Sequence, residues 1–276
     1  MKNLKFHKMH GAGNDYVYVN NLDGAIVNPE ELSIKVSDRH FGIGSDGLVL
    51  IMQSEVADFR MRMFNADGSE AGMCGNASRC VGKYLYDLGL TDKEVIDLET
   101  KSGVKILHLT VEEGKVVSVS VDMNPPGLEP KDLPVVADDT KAVDIEVEGC
   151  KFTFTCVSMG NPHAVTFIDE DVDSFDVERY GKAVENHPLF PERTNVEFAQ
   201  VISDKVIRMR VWERGSGETL ACGTGACATV VAATINNKIE GEAVVSLLGG
   251  EVSVKWDDTV ILTGGAEFVF EGEYYL

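Results

Sequence analysis

Two cysteines in this sequence stand where a thiol can carry out acid–base chemistry. Cys74 and Cys222 are each followed directly by glycine and then by a small-residue segment that predicts a helix, at about residues 76–88 and 224–237. A sulfur at the start of a helix lies close to unsatisfied backbone N–H groups and to the positive end of the helix dipole. This position is expected to bring the pKa of each thiol from about 8.5 toward neutrality.

The two Cys-Gly segments belong to a repeat within the chain. Residues 60–76 align without a gap to residues 208–224, and six of the 17 positions are identical. A second pair of matching dipeptides, at residues 13–14 and 160–161, has nearly the same separation. The shared separation argues against chance and indicates two similar halves, each with a strand, a loop, Cys-Gly and a helix.

Two such thiols facing each other across a cleft could invert the configuration of an amino acid. One sulfur, as thiolate, removes the α-proton from one face of the carbon, while the other, as thiol, delivers a proton to the opposite face. The N–H groups at the two helix starts would hold the substrate carboxylate, whose negative charge grows as the carbanion forms. The pattern therefore points to racemisation or epimerisation by two bases.

Other uses of the cysteines are less well supported. Packing is the better interpretation of the remaining four, Cys80, Cys150, Cys156 and Cys227. The cysteine spacings, with no nearby histidine to complete a zinc pattern, argue against a metal site. A thiol hydrolase that uses His163 stays an alternative, as does a non-catalytic amino-acid-binding protein. A hydrolase, however, leaves the duplicated cysteine unexplained.

Composition and charge restrict the function classes further. The chain has 276 residues, 44% of them hydrophobic, with 25 Lys and Arg against 45 Asp and Glu, for a formal charge of −20. This length and apolar fraction suit one large or two modest domains. The acidity disfavours nucleic acid and anionic membranes as partners. The N-terminus lacks the apolar stretch of a secretory signal, which predicts a soluble cytoplasmic protein without disulfides.

The order of elements predicts an α+β protein in which short β-branched strands dominate and helices are few. A proline-rich stretch at residues 123–134 marks a connection near the middle of the chain. We place the domain boundary there, with an N-terminal half over residues 1–124 and a C-terminal half over residues 125–265. A last strand, at about residues 266–276, could return to the N-terminal half.

Two further features receive no catalytic role. The glycines of residues 42–47 satisfy the dinucleotide fingerprint, but the apolar run that follows them predicts a turn before a strand. Glu70 and Glu218 match each other in the repeat, and a structural role such as pairing or capping is expected for both.

Several blocks of the sequence resemble the diaminopimelate epimerase family, in the family's order from near residue 6 to near the C-terminus. The blocks are HGAGNDY (10–16), GIGSDG (42–47), FNADGSEAGMCGN (64–76), GNPH (160–163), RTNVEF (193–198) and ERGSGETLACGTGACA (213–228). The resemblance implies a cofactor-independent epimerase that interconverts LL- and meso-2,6-diaminopimelate in lysine and peptidoglycan precursor synthesis. It also implies two pseudo-symmetric domains, each a β-barrel-like sheet around a central helix, an active site in the cleft between them, and a homodimer.

By this resemblance each family role falls on a residue of this chain. Cys74 and Cys222 would be the acid–base pair, and His163 and Glu213 would tune their ionisation. Substrate binding is implied for backbone N–H groups after each cysteine and for several polar side chains. The backbone groups belong to Gly75, Asn76, Gly223 and Thr224, and the side chains to Asn14, Asn65, Asn161, Asn195, Glu213 and Arg214.

The repeat is not fully symmetric, and the differences bear on the substrate. Where the first half has Asn65-Ala66, the second has Glu213-Arg214, a pair that suits the distal carboxylate and ammonium of a second amino acid group. A proline or hydroxyproline racemase of the same superfamily is the main alternative, but its small substrate leaves this pair without a partner. Gly47 stands where some relatives have a substrate-contacting glutamine, so that contact would be absent or made by backbone.

Overall fold

The chain forms two compact units of mixed secondary structure. The computed structural model describes residues 3–276. One unit comprises the residues up to Asp122 together with Thr263–Leu276, and the other comprises Met123–Leu262. Within the described residues each unit has two α-helices and both parallel and antiparallel strand pairs. The predicted α+β class is confirmed.

The helices and strands are numbered in chain order. The helices are α1 Pro29–Ser37, α2 Gly75–Asp87, α3 Val177–Glu185 and α4 Gly223–Ile235. The strands of the first unit are β1 Asn3–Gly11, β2 Asn14–Asn20, β3 Gly47–Met52, β4 Phe59–Asn65, β5 Glu70–Ala71, β6 Val95–Thr100, β7 Gly103–Glu112, β8 Lys115–Asp122 and β18 Glu267–Tyr275. The strands that begin in the second unit are β9 Val143–Val147, β10 Cys150–Ser158, β11 Pro162–Phe167, β12 Asn195–Ser203, β13 Val206–Glu213, β14 Gly217–Glu218, β15 Glu242–Leu247, β16 Gly250–Trp256 and β17 Val260–Gly264.

Both units repeat one order of strands and helices. In the first unit, β1 and β2 pair antiparallel, α1 connects the parallel pair β2 and β3, and β3 pairs antiparallel with β4. Helix α2 then connects to β6, which lies parallel to β4 and antiparallel to β7. In the second unit, β10 to β13, β15 and β16 repeat these pairings, with α3 and α4 as the connections. The two similar halves predicted from the repeat are confirmed.

The helices that follow the two cysteines are the central helices of their units. Helix α2 packs against β1, β2, β7 and β8, and α4 packs against β10, β11, β12, β15 and β16. Most residues of α4 are buried glycine, alanine, cysteine, threonine or valine, and these small side chains let strands approach on several sides. Each helix begins one residue before its predicted start.

The Arg and Glu residues shared by the repeat form the same ion pair in each unit. Arg62 Nε lies 2.7 Å from Glu70 Oε1, and Arg210 Nε lies 2.7 Å from Glu218 Oε1. The hydrogen bond from Arg62 lowers the pKa of Glu70. Each pair joins a long strand to the short strand that precedes the cysteine. The structural role predicted for the two glutamates is confirmed.

The glycine-rich segment at residues 42–47 forms the predicted turn before a strand, and β3 begins at its last residue. A Cβ atom on Gly47 would lie 2.0 Å from the carbonyl oxygen of Phe64 and 2.8 Å from the Tyr16 ring. With the strands paired as they are, no side chain fits at position 47. An absent or backbone contact between position 47 and a substrate stays a prediction.

All six cysteines lie within the described residues and are free thiols. Cys80, Cys156 and Cys227 are buried in the core, and burial raises the pKa of both Cys80 and Cys156 to about 12. Cys150 is half-buried, with its Sγ 3.3 Å from the Tyr180 hydroxyl.

Among residues 3–276, no helix has the length and apolar character needed to span a membrane.

Candidate active site

Cys74 is the N-cap residue of α2, with an extended backbone and a half-buried side chain. Its Sγ lies 3.4 Å from Asn14 Oδ1 on β2. Asn76 Nδ2, in the first turn of α2, also donates to Asn14 Oδ1, at 3.4 Å. Because Gly75 and Asn76 open the helix, their N–H groups belong to the set that has no partner within a helix. The first unit thus brings together four residues to which the resemblance gives a role.

Cys222 occupies the equivalent position on α4, where it is 6% exposed. Its Sγ accepts a hydrogen bond from the Gly225 N–H at 3.3 Å and lies 3.5 Å from Thr224 Oγ1. Asn161 Nδ2 donates to the same Thr224 hydroxyl at 3.3 Å. The start of α4 therefore holds the sulfur of Cys222 against backbone and side-chain donors.

The thiol of Cys222 has a raised pKa, and the sequence-based prediction of a lowered pKa was wrong for this residue. Burial is the largest cause, and the carboxylates of Glu213 and Glu197 raise the pKa further. Hydrogen bonds from Thr224 and Gly225 lower it, but by less. Proximity to a helix start favours a thiolate, yet here loss of water and two nearby negative charges outweigh it.

His163 lies on β11 and is completely buried. Its Nδ1 is 2.7 Å from Glu197 Oε1, and its Nε2 is 3.1 Å from Asn161 Oδ1. Strands β11 and β12 run parallel with His163 opposite Asn195, which places Glu197 two residues further along the same face of β12. The parallel register thus brings the GNPH and RTNVEF blocks to one point beside α4.

One donor atom each from His163, Glu197 and Cys222 lie within 4.8 Å of one another, and all three residues are buried. Nitrogen, carboxylate oxygen and sulfur form a donor set that suits Zn²⁺. The hydrogen bond between His163 and Glu197 would have to open for an ion to enter. The prediction against a metal site considered the cysteine spacings and the absence of a histidine nearby in the sequence, and neither carries information on Glu197.

Asn195 positions Arg214 through both groups of its amide. Asn195 Nδ2 donates to the carbonyl oxygen of Pro162 at 2.9 Å, and its Oδ1 accepts from the Arg214 backbone N–H at 2.9 Å. Arg214 as a whole is half-buried, and its guanidinium donates to the carbonyl oxygen of Glu192 at 3.2 Å. Asn195 therefore fixes the turn that carries Arg214.

Two further predicted residues lie at the ends of equivalent strands. Glu213 ends β13 and accepts a hydrogen bond from the Thr219 hydroxyl. Asn65 ends β4, is exposed, and donates from its side chain and its backbone N–H to Ser69. The bonds of Asn65 are those of a turn residue. Glu213 differs, because the charge of its carboxylate raises the pKa of Cys222. A substrate-binding role for Asn65 stays a prediction.

Sequence reasoning missed two carboxylates beside the predicted residues, Asp46 and Glu197. Asp46 Oδ2 accepts from Asn14 Nδ2 at 2.8 Å, while Glu197 contacts His163. Glu197 lies between the apolar Val196 and Phe198 in β12, and this alternation could have marked a buried carboxylate. Aspartate in a glycine-rich turn is ordinary, so Asp46 gave no such signal.

Known proteins resemble this chain over nearly its full length. The sequence profile of the diaminopimelate epimerase family matches residues 6–128 and 155–269. A protein from Acetivibrio thermocellus named diaminopimelate epimerase is 56% identical over 275 residues, which cover 98% of each chain. Another of that name, from Methanococcus maripaludis, is 55% identical over 275 residues, with 98% of this chain and 99% of that protein covered.

Solved structures share the two-domain fold at much lower identity. A PhzF-family phenazine biosynthesis protein from Bacillus anthracis has a TM-score of 0.72 at 18% identity, with both chains fully covered. A hydroxyproline epimerase from Agrobacterium vitis has a TM-score of 0.71 at 15% identity and covers 99% of this chain and 91% of its own. These likenesses establish the fold alone. The sequence matches are far closer, and by them this chain belongs to the diaminopimelate epimerase family.

Proposed function

We propose that this chain is an isomerase that interconverts LL- and meso-2,6-diaminopimelate, with Cys74 and Cys222 as its acid–base pair. The observation that carries the proposal is that each unit places one cysteine at the N-cap of its central helix. The relatives named diaminopimelate epimerase support this substrate over proline or hydroxyproline.

In the proposed reaction the two thiols act on opposite faces of one α-carbon. The thiolate of one cysteine takes the α-proton, and the electron pair of the broken C–H bond stays on the carbon as a carbanion conjugated with the carboxylate. The thiol of the other cysteine then protonates the opposite face, which leaves that sulfur as the thiolate. Protons and charges balance, and the reverse reaction exchanges the two roles.

The starts of α2 and α4 suit the charge that develops on the substrate carboxylate. Backbone N–H groups at Gly75, Asn76, Gly223 and Thr224 would donate to the carboxylate oxygens, as helix starts do for anions. Donors already held in place by the helices stabilise this charge without reorganisation, and this stabilisation is stronger when water is excluded.

The raised pKa of Cys222 gives that residue a defined starting state. Burial and the carboxylates of Glu213 and Glu197 keep the proton on its sulfur in the free protein. We propose that Cys222 meets the substrate as a thiol and that the ammonium groups of a bound diaminopimelate offset the two carboxylates, which eases its ionisation. Arg214 would bind the distal carboxylate through its planar fork.

The test follows the α-proton in heavy water. With LL-diaminopimelate, the protein is expected to form the meso isomer and to place deuterium at the inverted carbon, as seen by proton NMR. Cys74→Ala and Cys222→Ala should each abolish turnover, whereas Cys150→Ala, a half-buried thiol outside the site, should keep it. Full activity with only one of the two cysteines would refute the two-base mechanism. Exchange on proline instead would favour the racemase alternative.

The absence of a cofactor and the assembly are proposed from the family resemblance. Activity should survive dialysis against hydroxylamine, which removes pyridoxal phosphate from enzymes that need it. We propose a homodimer located in the cytoplasm. Light scattering should give twice the chain mass of 30.0 kDa, and a single chain mass at assay concentration would contradict the dimer.

A further inference from the structure

Asp46 lies in the turn before β3 and has no part in the proposed reaction. Its backbone N–H donates to the carbonyl oxygen of Asp15 at 2.8 Å. Its Oδ2 accepts from Asn14 Nδ2 at 2.8 Å and from the Asp15 N–H at 3.1 Å, and Arg39 donates to its Oδ1 at 2.9 Å. The carboxylate is therefore held on both oxygens and faces Asn14 in a fixed position.

This contact determines which way the Asn14 amide points. An ionised carboxylate only accepts hydrogen bonds, so the nitrogen of the amide must face Asp46 and the oxygen must face the other way. The Asn76 Nδ2 group, a donor, lies 3.4 Å from that oxygen and requires the same orientation. Two neighbours of opposite character thus fix the amide of Asn14.

The oxygen so placed lies 3.4 Å from Cys74 Sγ. We propose that Asp46 is a positioning residue for Cys74, because its carboxylate makes Asn14 present a carbonyl oxygen, and not an N–H group, to the thiol. A carbonyl oxygen accepts a hydrogen bond from S–H but repels a thiolate. The orientation of Asn14 therefore favours the proton-bearing form of Cys74 in the free protein. When a bound substrate engages the amide, this preference is removed, and Cys74 can lose its proton to solvent and act as the thiolate opposite the Cys222 thiol.

Charged and titratable groups around this contact come from β2, α2 and the segment between α1 and β3. Arg39 pairs with both Asp15 and Asp46, and the pKa of Asp46 is raised by its burial and by the charge of Asp15. Tyr18 on β2 and Cys80 on α2 interact electrostatically with Cys74, and both are completely buried. Their pKa values are raised, so both are neutral at physiological pH.

The test measures the rate at which iodoacetamide alkylates Cys74, by peptide mass spectrometry at neutral pH. Asp46→Ala removes the acceptor, which lets Asn14 rotate and offer its N–H to the thiolate. The alkylation rate is expected to rise about fivefold, because this is the change that the net free energy of one hydrogen bond produces. Asp46→Asn keeps an acceptor oxygen and should stay within about twofold of the unmodified protein. Glu55→Ala removes an exposed carboxylate elsewhere in the same unit and should change nothing.

Equal rates for Asp46→Ala and Asp46→Asn would overturn the proposal, since charge alone would then explain the effect. A rate for Asp46→Ala equal to that of the unmodified protein would overturn it as well. Alkylation of Cys150 in the same samples reports on folding. Should the alanine variant unfold, Asp46→Ser, whose hydroxyl is too short to reach Asn14, is expected to show the same rise.

The inference rests on the proposed function only in treating Cys74 as a reacting thiol. Turnover is measured alongside alkylation. Because Asn14, to which the resemblance gives a substrate-binding role, loses its fixed orientation, kcat/KM for diaminopimelate should fall in Asp46→Ala and recover largely in Asp46→Asn. Should the unmodified protein fail to epimerise while the alkylation pattern holds, the proposed function fails and the positioning role stands. Should it epimerise without that pattern, the positioning role alone fails.

Discussion

His163 Nδ1 lies 2.7 Å from Glu197 Oε1, and neither side chain is exposed to solvent. A carboxylate acceptor at this distance requires the proton of that ring nitrogen to point at it, which fixes the orientation of the imidazole. Glu197 also lies against the first turn of α4, since a Cβ on Gly225 would be 2.7 Å from its Oε1. The buried carboxylate thus contacts both His163 and the helix that carries Cys222.

We predict that Glu197→Gln lowers the pH at which Cys222 becomes reactive. The Glu197 carboxylate raises the pKa of Cys222, so removal of its charge lowers that pKa and shifts the alkylation profile of Cys222 to lower pH. Loss of the fixed orientation of His163 should also reduce kcat about tenfold or more. Glu170→Gln, at an exposed position of the same unit, is the control and should leave both unchanged. An unaltered profile would show that Glu197 has only a packing role.

Gly225→Ala is predicted to damage the site although alanine favours helices. The new methyl group would lie 2.7 Å from Glu197 Oε1 and 3.3 Å from Cys222 Sγ, so one of these groups must move. We expect kcat/KM to fall about tenfold or more, as when catalytic groups are displaced by about an ångström. Steady-state kinetics with a melting curve test this prediction, and unaltered kinetics would mean that the close approach is not needed.

The sequence predicted the parts of the fold that depend on local pattern. The repeat of strand, loop, Cys-Gly and helix placed β4 and β13 correctly and placed the starts of α2 and α4 to within one residue. The strand pattern did not predict which strands pair parallel, as β2 does with β3 across α1. A parallel register is set by how the connecting helix packs, and the strand residues themselves do not encode it.

The site was predictable only where its residues lie in recognisable blocks. Cys74 and Cys222 follow from the repeat, yet the partners that control their environment come from distant positions. Asp46 is 32 residues from Asn14, and Glu197 is 34 residues from His163. The raised pKa of Cys222 depends on burial and on two such carboxylates, so local reasoning from the helix start gave the wrong direction.

Arg214→Lys should weaken recognition of the distal carboxylate while leaving the thiols intact. Asn195 holds the Arg214 backbone, so the substitution changes the side chain on an otherwise fixed turn. Lysine cannot form the paired hydrogen bonds of a guanidinium, and we expect kcat/KM to fall about tenfold with Cys222 alkylation unchanged. Arg179→Lys, at an exposed ion pair with Glu148, is the matched control. Kinetics equal to those of the unmodified protein would remove Arg214 from the substrate site.

Alkaline stability should reflect the two core thiols. Burial raises the pKa of Cys80 and Cys156 to about 12 from an ordinary value of 9.0, so between these pH values the unfolded chain loses protons that the folded protein keeps. The contribution of these thiols to the free energy of unfolding is fully present below pH 9.0 and is lost as pH rises toward about 12. The loss is up to about 1.4 kcal/mol per pH unit for each thiol. Cys156→Ala should lower the free energy of unfolding at every pH because it leaves a cavity in the core. The free energy of unfolding of this variant should, however, fall less steeply with rising pH than that of the unmodified protein. Urea titrations at a series of alkaline pH values measure both slopes, and equal slopes would mean that Cys156 ionises without unfolding.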